Sequence, residues 1–397
     1  MHVDFADPAL LEDPFPTYES IRQSGRCVWN ENSHVWMVTG HGDAMDIFRQ
    51  ADAFSSSPTD DGGPWFRDVP LMMSSDGSTH QRLRDPVRQA FSFRRSASRE
   101  AAMDAAISNL LESSQFSARV ESGESVDVAA ELSGPLPIVI TADLLDVPAR
   151  DRDLFYEWCN DLVMYTGVVQ GTHDPLEQSA WLARANKASD SFWTYMEQRL
   201  QRQSGGDGTS LVDLLGSAID AKSMTVEEAI AATMLLLLAG TDSTMKLLSN
   251  LVSLIAGRDE VISAFATKGR TSDAGLEELI RVGGPVQLDA RKALSASTVG
   301  FQNIAEGDEI WILNAAANRD PSVFAHPEAI DLTRAPNPHL GFGYGAHMCL
   351  GFSTAKVLAS TFVRNIAPLL PGVGVESTTH GRGKFVRGPV SLIVKRT

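Results

Sequence analysis

HLGFGYGAHMCLG, residues 339–351, crowds four glycines, two histidines and two aromatic residues around one thiol, Cys349, in a chain with only two other cysteines, Cys27 and Cys159. Gly341, Gly343 and Gly345 let a backbone turn tightly and approach a flat ligand closely, which side chains would prevent. The following LGFSTAKVLASTFVRNIA reads as a helix. Cys349 therefore stands just before a helix N-terminus, where unpaired N–H groups and the positive dipole end stabilise a thiolate. A cysteine beside a helix start is by itself more often a small core residue than a ligand. The glycine loop shifts that balance toward a metal-ligating sulfur.

A second polar intrusion lies upstream. Thr225 and Glu228 fit a capping box, and an apolar pattern then runs through LLLLAGTDSTMKLLSNLVSLIAG to a stop at Gly257. At ~1.5 Å per residue such a helix spans on the order of 45 Å, enough to cross a domain. The patch Ala239-Gly240-Thr241-Asp242-Ser243-Thr244 interrupts its apolar surface. Gly costs about 1 kcal/mol against Ala in a helix, and Ser or Thr hydroxyls bond back to the carbonyl four residues earlier. A bulge or kink is expected there, a defect common at functional sites.

The 397 residues, 43% hydrophobic and 21% charged, have globular composition. A net charge of −16 argues against nucleic acid or an anionic membrane as the principal partner, because phosphate binding needs a surplus of Lys and Arg. Three scattered cysteines offer no disulfide framework or zinc knuckle, which implies a reducing cytoplasm. The N-terminal MHVDFADPALLEDPF carries acids and prolines where a signal peptide needs positive charge and an apolar run. The apolar run Ala229–Gly240 is too short for the ~20 residues of a membrane span and reads as a buried helix. Strand signals at Cys27–Trp29, Val35–Thr39, Glu309–Leu313 and Val390–Val394 predict a small sheet joined from both ends of a mainly helical chain, and QRQSGGDGTS at 201–210 reads as a loop within a domain.

Phe342-Gly-Tyr-Gly-Ala-His347-Met-Cys349-Leu-Gly351 resembles the haem-binding loop FGxGxHxCxG of the cytochrome P450 superfamily. Glu278-Leu-Ile-Arg281, within EELIRVGGPVQLDAR, is similar to the family's ExxR helix. Ala317-Asn318-Arg319-Asp320-Pro321 and Asp331-Leu-Thr-Arg334 resemble segments that precede the haem loop, and AGTDST resembles the oxygen-activating motif AGx(D/E)T(T/S). The resemblance runs from about Asp7 to Val394. It implies a mainly α fold with small β-sheets, a triangular helical prism around a long central helix, as one catalytic domain over 1–397 without a fused reductase or ferredoxin module.

The resemblance also implies roles. Cys349 would be the axial thiolate of haem b (iron protoporphyrin IX), the only metal ligand from the chain, flanked by Phe342 and Gly351. His80 and Arg84, matching an HxxxR helix, would join Arg291 and His347 in binding the haem propionates, for which Arg offers a planar fork. Glu278, Arg281 and Arg334 would form a buried structural ion network. Asp242 and Ser243, with Thr244 as a substitute hydroxyl, would deliver protons for cleavage of bound dioxygen. Ser243 departs from the family's usual Thr and loses the β-branch that restricts its rotamer. Lys356 stands where the family usually has Arg, and Pro86 is expected to disturb or shorten the HxxxR helix.

The implied reaction is hydroxylation or O-dealkylation of a small to medium hydrophobic organic substrate with O2 by a cytoplasmic monooxygenase. Electrons would come from an external ferredoxin or flavodoxin, since no GxGxxG follows a strand and three scattered cysteines cannot hold a four-thiolate cluster. Arg82, Arg88, Arg94 and Arg95 form a candidate positive patch for that partner. Trp65, Phe66, Met72, Met73, Leu235, Leu236, Ala239, Val286 and Leu288 are the expected substrate contacts. Two rival readings are a peroxide-dependent haem peroxygenase and a degenerate, haem-free recruitment scaffold.

Overall fold

The computed structural model describes residues 1–57, 64–169, 175–202, 210–266, 273–381 and 383–397. Most of the expected loop at 201–210 lies outside them; Gln201 and Arg202 end the helix Pro175–Arg202, and Ser210 caps Leu211–Asp220 through its own capping box.

The long helix runs from Val226 to Ile255. Thr225 Oγ1 accepts from the Glu228 amide at 3.1 Å, and Glu228 Oε2 accepts from the Thr225 amide at 2.9 Å, so two of the helix's orphan donors are satisfied reciprocally. Its first half packs into one core cluster through Leu235 and Leu237 and its second half into another through Leu247, Leu248 and Leu251. Although long and apolar enough to cross a membrane by length and composition, the helix has 56% of its most apolar window buried inside the protein. Helices Arg152–Val169, Pro135–Leu144, Asp273–Gly283 and Phe352–Ile366 pack along it.

The expected bulge does not form: the helix is unbroken through 239–244. Thr241 Oγ1 donates to the Leu237 carbonyl at 2.7 Å and Ser243 Oγ to the Ala239 carbonyl at 2.6 Å. These hydroxyls add a second donor to carbonyls of the ladder and leave the ladder intact. Pro86 stays within its helix for a different reason. The helix Gly77–Arg88 passes through it and tightens to a 3-10 turn at Gln89–Phe91. So near the helix end, the missing N–H removes one bond from a ladder that is about to finish.

Among the described residues the strands form three small sheets, as the resemblance implied, although the four strand signals were expected to share one. One has the order Cys27–Asn30, Val35–Val38, Glu309–Ile312, Asp289–Ala293, Phe54–Ser55, and it does join early and late chain. Its pairing of Val35–Val38 with Glu309–Ile312 is parallel and its other pairings antiparallel. Pro389–Arg396 belongs instead to a second sheet, with Val373–His380 and Val126–Asp127. Its buried Leu392 and Val394 face the core around Leu248 and Phe362, a different core from that beneath the first sheet. A hairpin of Ser297–Val299 and Gln302–Ile304 completes the β structure.

Candidate functional site

The glycine loop is shaped by close contacts. Gly343 and Gly345 have φ of +66° and +75°, values that side chains rarely adopt. The Cys349 amide donates to the Phe342 carbonyl at 2.8 Å, closing the loop on itself. Phe342 packs against Phe352 and the His339 ring, which anchors the loop to the helix Phe352–Ile366. Asn318 fixes its entry, with Oδ1 accepting from the Leu340 amide at 2.6 Å.

Cys349 lies two residues before Gly351, the N-cap of that helix. Its side chain is accessible, yet the surrounding protein pushes the thiol up, against the opposing influence of the Gly351 amide and Arg84. The Gly351 amide and Arg84 do not outweigh burial, and a coordinated metal ion would add further positive charge in favour of the thiolate.

Beside the loop the structure gathers four cation-forming side chains. The rings of His80 and His347 stand 4.1 Å apart, and Arg84 donates to the Met348 carbonyl. Arg291, 8% exposed, donates to the Ala290 carbonyl and lies 5.2 Å over the Phe48 ring. Burial, then His80 and Arg291, push His347 down to about 4, against Asp76, whose Oδ1 lies 3.5 Å away. His80 is lowered too, by burial and Arg84, and its Nε2 is buried without a partner. An orphaned ring nitrogen beside one buried and one half-buried guanidinium group is a donor set that two propionates would satisfy. The residues present fit a haem.

Asp76 belongs to this cluster and was missed in the sequence. Burial raises its carboxyl, but bonds from Ser55 and Ser56 and the charge of His347 lower it further, leaving it below its ordinary value. Its four-residue spacing from His80 is the signal that could have found it.

Glu278, Arg281 and Arg334 come together as a satisfied network. Glu278 is fully buried and Arg281 1% exposed; they join at 2.8 Å through two parallel bonds, and Arg334 Nε reaches Glu278 at 3.0 Å. The Asp331 amide and Asn337 Nδ2 complete the carboxylate's partners, while Arg281 also donates to the carbonyls of Asn318, Pro327 and Ala329. Next to it Glu277 takes His339 Nε2 at 2.7 Å and Lys356 Nζ, tying three elements around the loop.

On the long helix Ala239 is exposed and Leu236, Gly240, Ser243 and Thr244 are half-buried, between buried turns at Met234–Leu235 and Lys246–Val252. This accessible strip, at i, i+3, i+4, i+7 and i+8, is one helix face. Asp242, one residue off the strip, pairs with Lys246, which the sequence reading passed over although Asp and Lys stand at i and i+4. The expected substrate contacts divide. Trp65, Phe66, Met72 and Leu235 share a core cluster, with the Trp65 indole bonded to Asn186 and edge-on to Tyr165. Met73 is 56% exposed. Val286 bridges Val386, whereas Leu288 is buried with Tyr18 and Trp311 in another cluster. Among the patch arginines, Arg82 is committed to Glu228 at 2.6 and 2.8 Å, while Arg94 and Arg95 line an open cleft of about 550 Å³ with Gln89, Ser92 and Ser98.

Comparison with known proteins agrees with this geometry. The cytochrome P450 family model matches residues 272–393. The biotin biosynthesis cytochrome P450 of Bacillus subtilis is 26% identical over 377 residues, covering 93% of this chain and 92% of its own. The cytochrome P450 monooxygenase PikC of Streptomyces venezuelae is 27% identical, covering 92% and 85%. The crystal structure of the versatile cytochrome P450 enzyme CYP109B1 from Bacillus subtilis superposes with a TM-score of 0.85 at 25% identity, over 97% of this chain and all of the other.

Proposed function

This chain belongs to the cytochrome P450 family, and from that premise we propose that it is a haem-thiolate monooxygenase acting on a hydrophobic organic substrate by hydroxylation or O-dealkylation. Cys349 would hold the haem iron, with Phe342 and Gly351 beside it, and His80, Arg84, Arg291 and His347 would hold the propionates. When bound, haem ligated by a thiolate supplies the oxygen-activating chemistry. The chain's own share is to hold, exclude and deliver. The glycine loop keeps side chains away from the ligand plane. Leu236 and Ala239 on the accessible helix face give an apolar wall that excludes water from the substrate. Ser243 and Asp242, with Thr244 alongside, would carry protons inward from solvent. The Ser243 hydroxyl donates to the Ala239 carbonyl, and to act as a relay it would turn from that carbonyl and pass its own proton on as its oxygen accepts the next.

The observation that carries this reading is the accessible Cys349 beside Arg84, Arg291, His347 and His80, whose buried Nε2 has no partner. The redox partner we propose is an external ferredoxin or flavodoxin, engaging Arg88, Arg94 and Arg95, of which Arg88 shares an exposed pair with Asp85, whereas Arg82 is held by the buried Glu228. A single catalytic unit in a reducing cytoplasm, where Cys27 and Cys159 stay as buried thiols, accords with these roles.

The test is the carbon monoxide difference spectrum of the reduced protein. A band near about 450 nm is expected, as thiolate ligation gives. Wild-type protein that retains no porphyrin, or a Cys349→Ala variant that still binds it and oxidises the same compounds, would overturn the proposal.

A further inference from the structure

Lys246 lies in the interior of the longest apolar helix, 3% exposed, and no step above uses it. Its ammonium donates to Asp242 Oδ2 at 2.8 Å and to the carbonyl of Val386, 140 residues away, at 3.1 Å. A buried ammonium needs every partner it can find, because an unpaired charge in the interior is strongly disfavoured. The surroundings are built for this side chain. A Cβ on Gly388 would lie 2.5 Å from Lys246 Cβ and 2.9 Å from its Cα, so only glycine lets that backbone reach the helix here. Gly381 lies beside the far end of the stem, where a Cβ would meet Cε in ordinary contact at 3.4 Å. The two glycines are joined, Gly381 N–H donating to the Gly388 carbonyl at 3.1 Å.

The tie continues one turn along. Asn250 Nδ2 donates to the carbonyls of Gly283 and Arg387 at 2.8 and 3.2 Å. Asp242, Lys246 and Asn250, at i, i+4 and i+8, therefore form a polar stripe that clasps Val386 and Arg387. The other edge of this strip is laced to 285–287: Gln287 N–H to Phe385 at 2.8 Å, Arg387 N–H to Pro285 at 2.7 Å, and the bridge of Val286 with Val386. The segment Phe385–Gly388 is thus a wall held between the chain after the ExxR helix and the helix that carries the proton-delivering acid.

We propose that Lys246 is a positioning residue that aims the Asp242 carboxylate and fastens it to the wall Phe385–Gly388, so that wall displacement and acid orientation become one event. This rests on the monooxygenase reading for its consequence, though not for the tie itself. A ligand that pushes on Val286 or Val386 pulls on the Val386 carbonyl, hence on the ammonium, hence on the carboxylate. Proton delivery then depends on how a substrate fits the wall, which makes Lys246 a determinant of which substrates are oxidised without loss of reductant.

Two measurements test this. The first is amide hydrogen exchange over Phe385–Gly388 in the resting protein, which needs no turnover. Lys246→Met keeps the stem and removes the charge, and exchange there is expected to rise about tenfold, as loss of a charge-assisted bond implies. Unchanged exchange overturns the tie. Asp242→Asn, which leaves the packing of the stem in place, is expected to raise it by a smaller factor and serves if Lys246→Met folds poorly. The second is hydrogen peroxide released per reductant consumed, with a surrogate ferredoxin and its reductase, in Lys246→Met, Asp242→Asn and the double variant. If Lys246 acts through Asp242, the double variant is no worse than Asp242→Asn alone. Additive losses would show that Lys246 acts only as packing and overturn the positioning role. Protein without the thiolate band defeats the monooxygenase reading, and with it the positioning role, while the exchange measurement still decides the tie.

Discussion

Gly345 approaches Phe48 so closely that a Cβ on it would lie 2.3 Å from the Phe48 carbonyl oxygen. The loop that carries Cys349 is therefore pressed against the helix His41–Arg49, in a backbone conformation that an L side chain resists.

Gly345→Ala must displace that backbone as well as adopt φ near +75°. A non-glycine residue held in such a region costs on the order of 1–3 kcal/mol before any clash is counted. The variant is expected to melt earlier in urea and to carry less than one haem per chain. Gly351→Ala, whose Cβ would meet only the Cys349 sulfur at 4.0 Å, should be much milder.

The Glu278 carboxyl is held below the usual carboxylate range: burial pushes it up, and bonds from Arg281, the Asp331 amide and Arg334 outweigh that. A carboxyl lowered by folding contributes stability that is fully present above its unfolded value of about 4.3 and is lost as pH falls through the folded value. Glu278→Gln leaves two buried guanidinium groups without their anion and is expected to cost about 3–5 kcal/mol at neutral pH. Its stability should then fall less steeply than that of the wild type as urea melts are repeated toward about pH 3.

Arg291 is nearly buried, and burial lowers it against the raising influence of Asp289. If it holds a propionate, Arg291→Met removes a charge-assisted bond of about 1.5–3 kcal/mol. Haem transfer to apomyoglobin should then be faster by roughly tenfold or more. A rate equal to wild type would remove Arg291 from the site.

Arg82 and Arg94 differ in availability although both lie in the basic stretch. Arg82 is clamped to Glu228, whose carboxyl is lowered by that bond. Arg94→Glu is expected to slow electron transfer from a ferredoxin several-fold at low salt, with the difference fading above about 0.5 M salt as screening takes over. Arg82→Ala should leave electron transfer near wild type and cost on the order of 1 kcal/mol of stability, because Arg82 is partly exposed and the buried Glu228 keeps its capping bond from the Thr225 amide.

Much of the site was legible in the residues because its requirements are local. Only glycine serves at Gly343 and Gly345, a capping box needs Thr225 and Glu228 at a fixed spacing, and Glu278 and Arg281 meet because three residues is about one helical turn. The unbroken helix at 239–244 was misjudged because side-chain hydroxyls that bend some helices here only add donors to an intact ladder.

By itself the sequence determined the mainly helical architecture, the loop around Cys349 and the chemistry of the residues near it, since these follow from composition and spacing along one stretch of chain. The tertiary structure alone decided that Lys246 reaches Val386, that Arg82 is spent on Glu228, that Leu288 joins a core with Tyr18, and that Pro389–Arg396 lies in a separate sheet. Each of these depends on segments far apart in sequence meeting at contact distance. Such meetings are set by how whole elements pack to bury apolar surface, and short-range pattern does not record them.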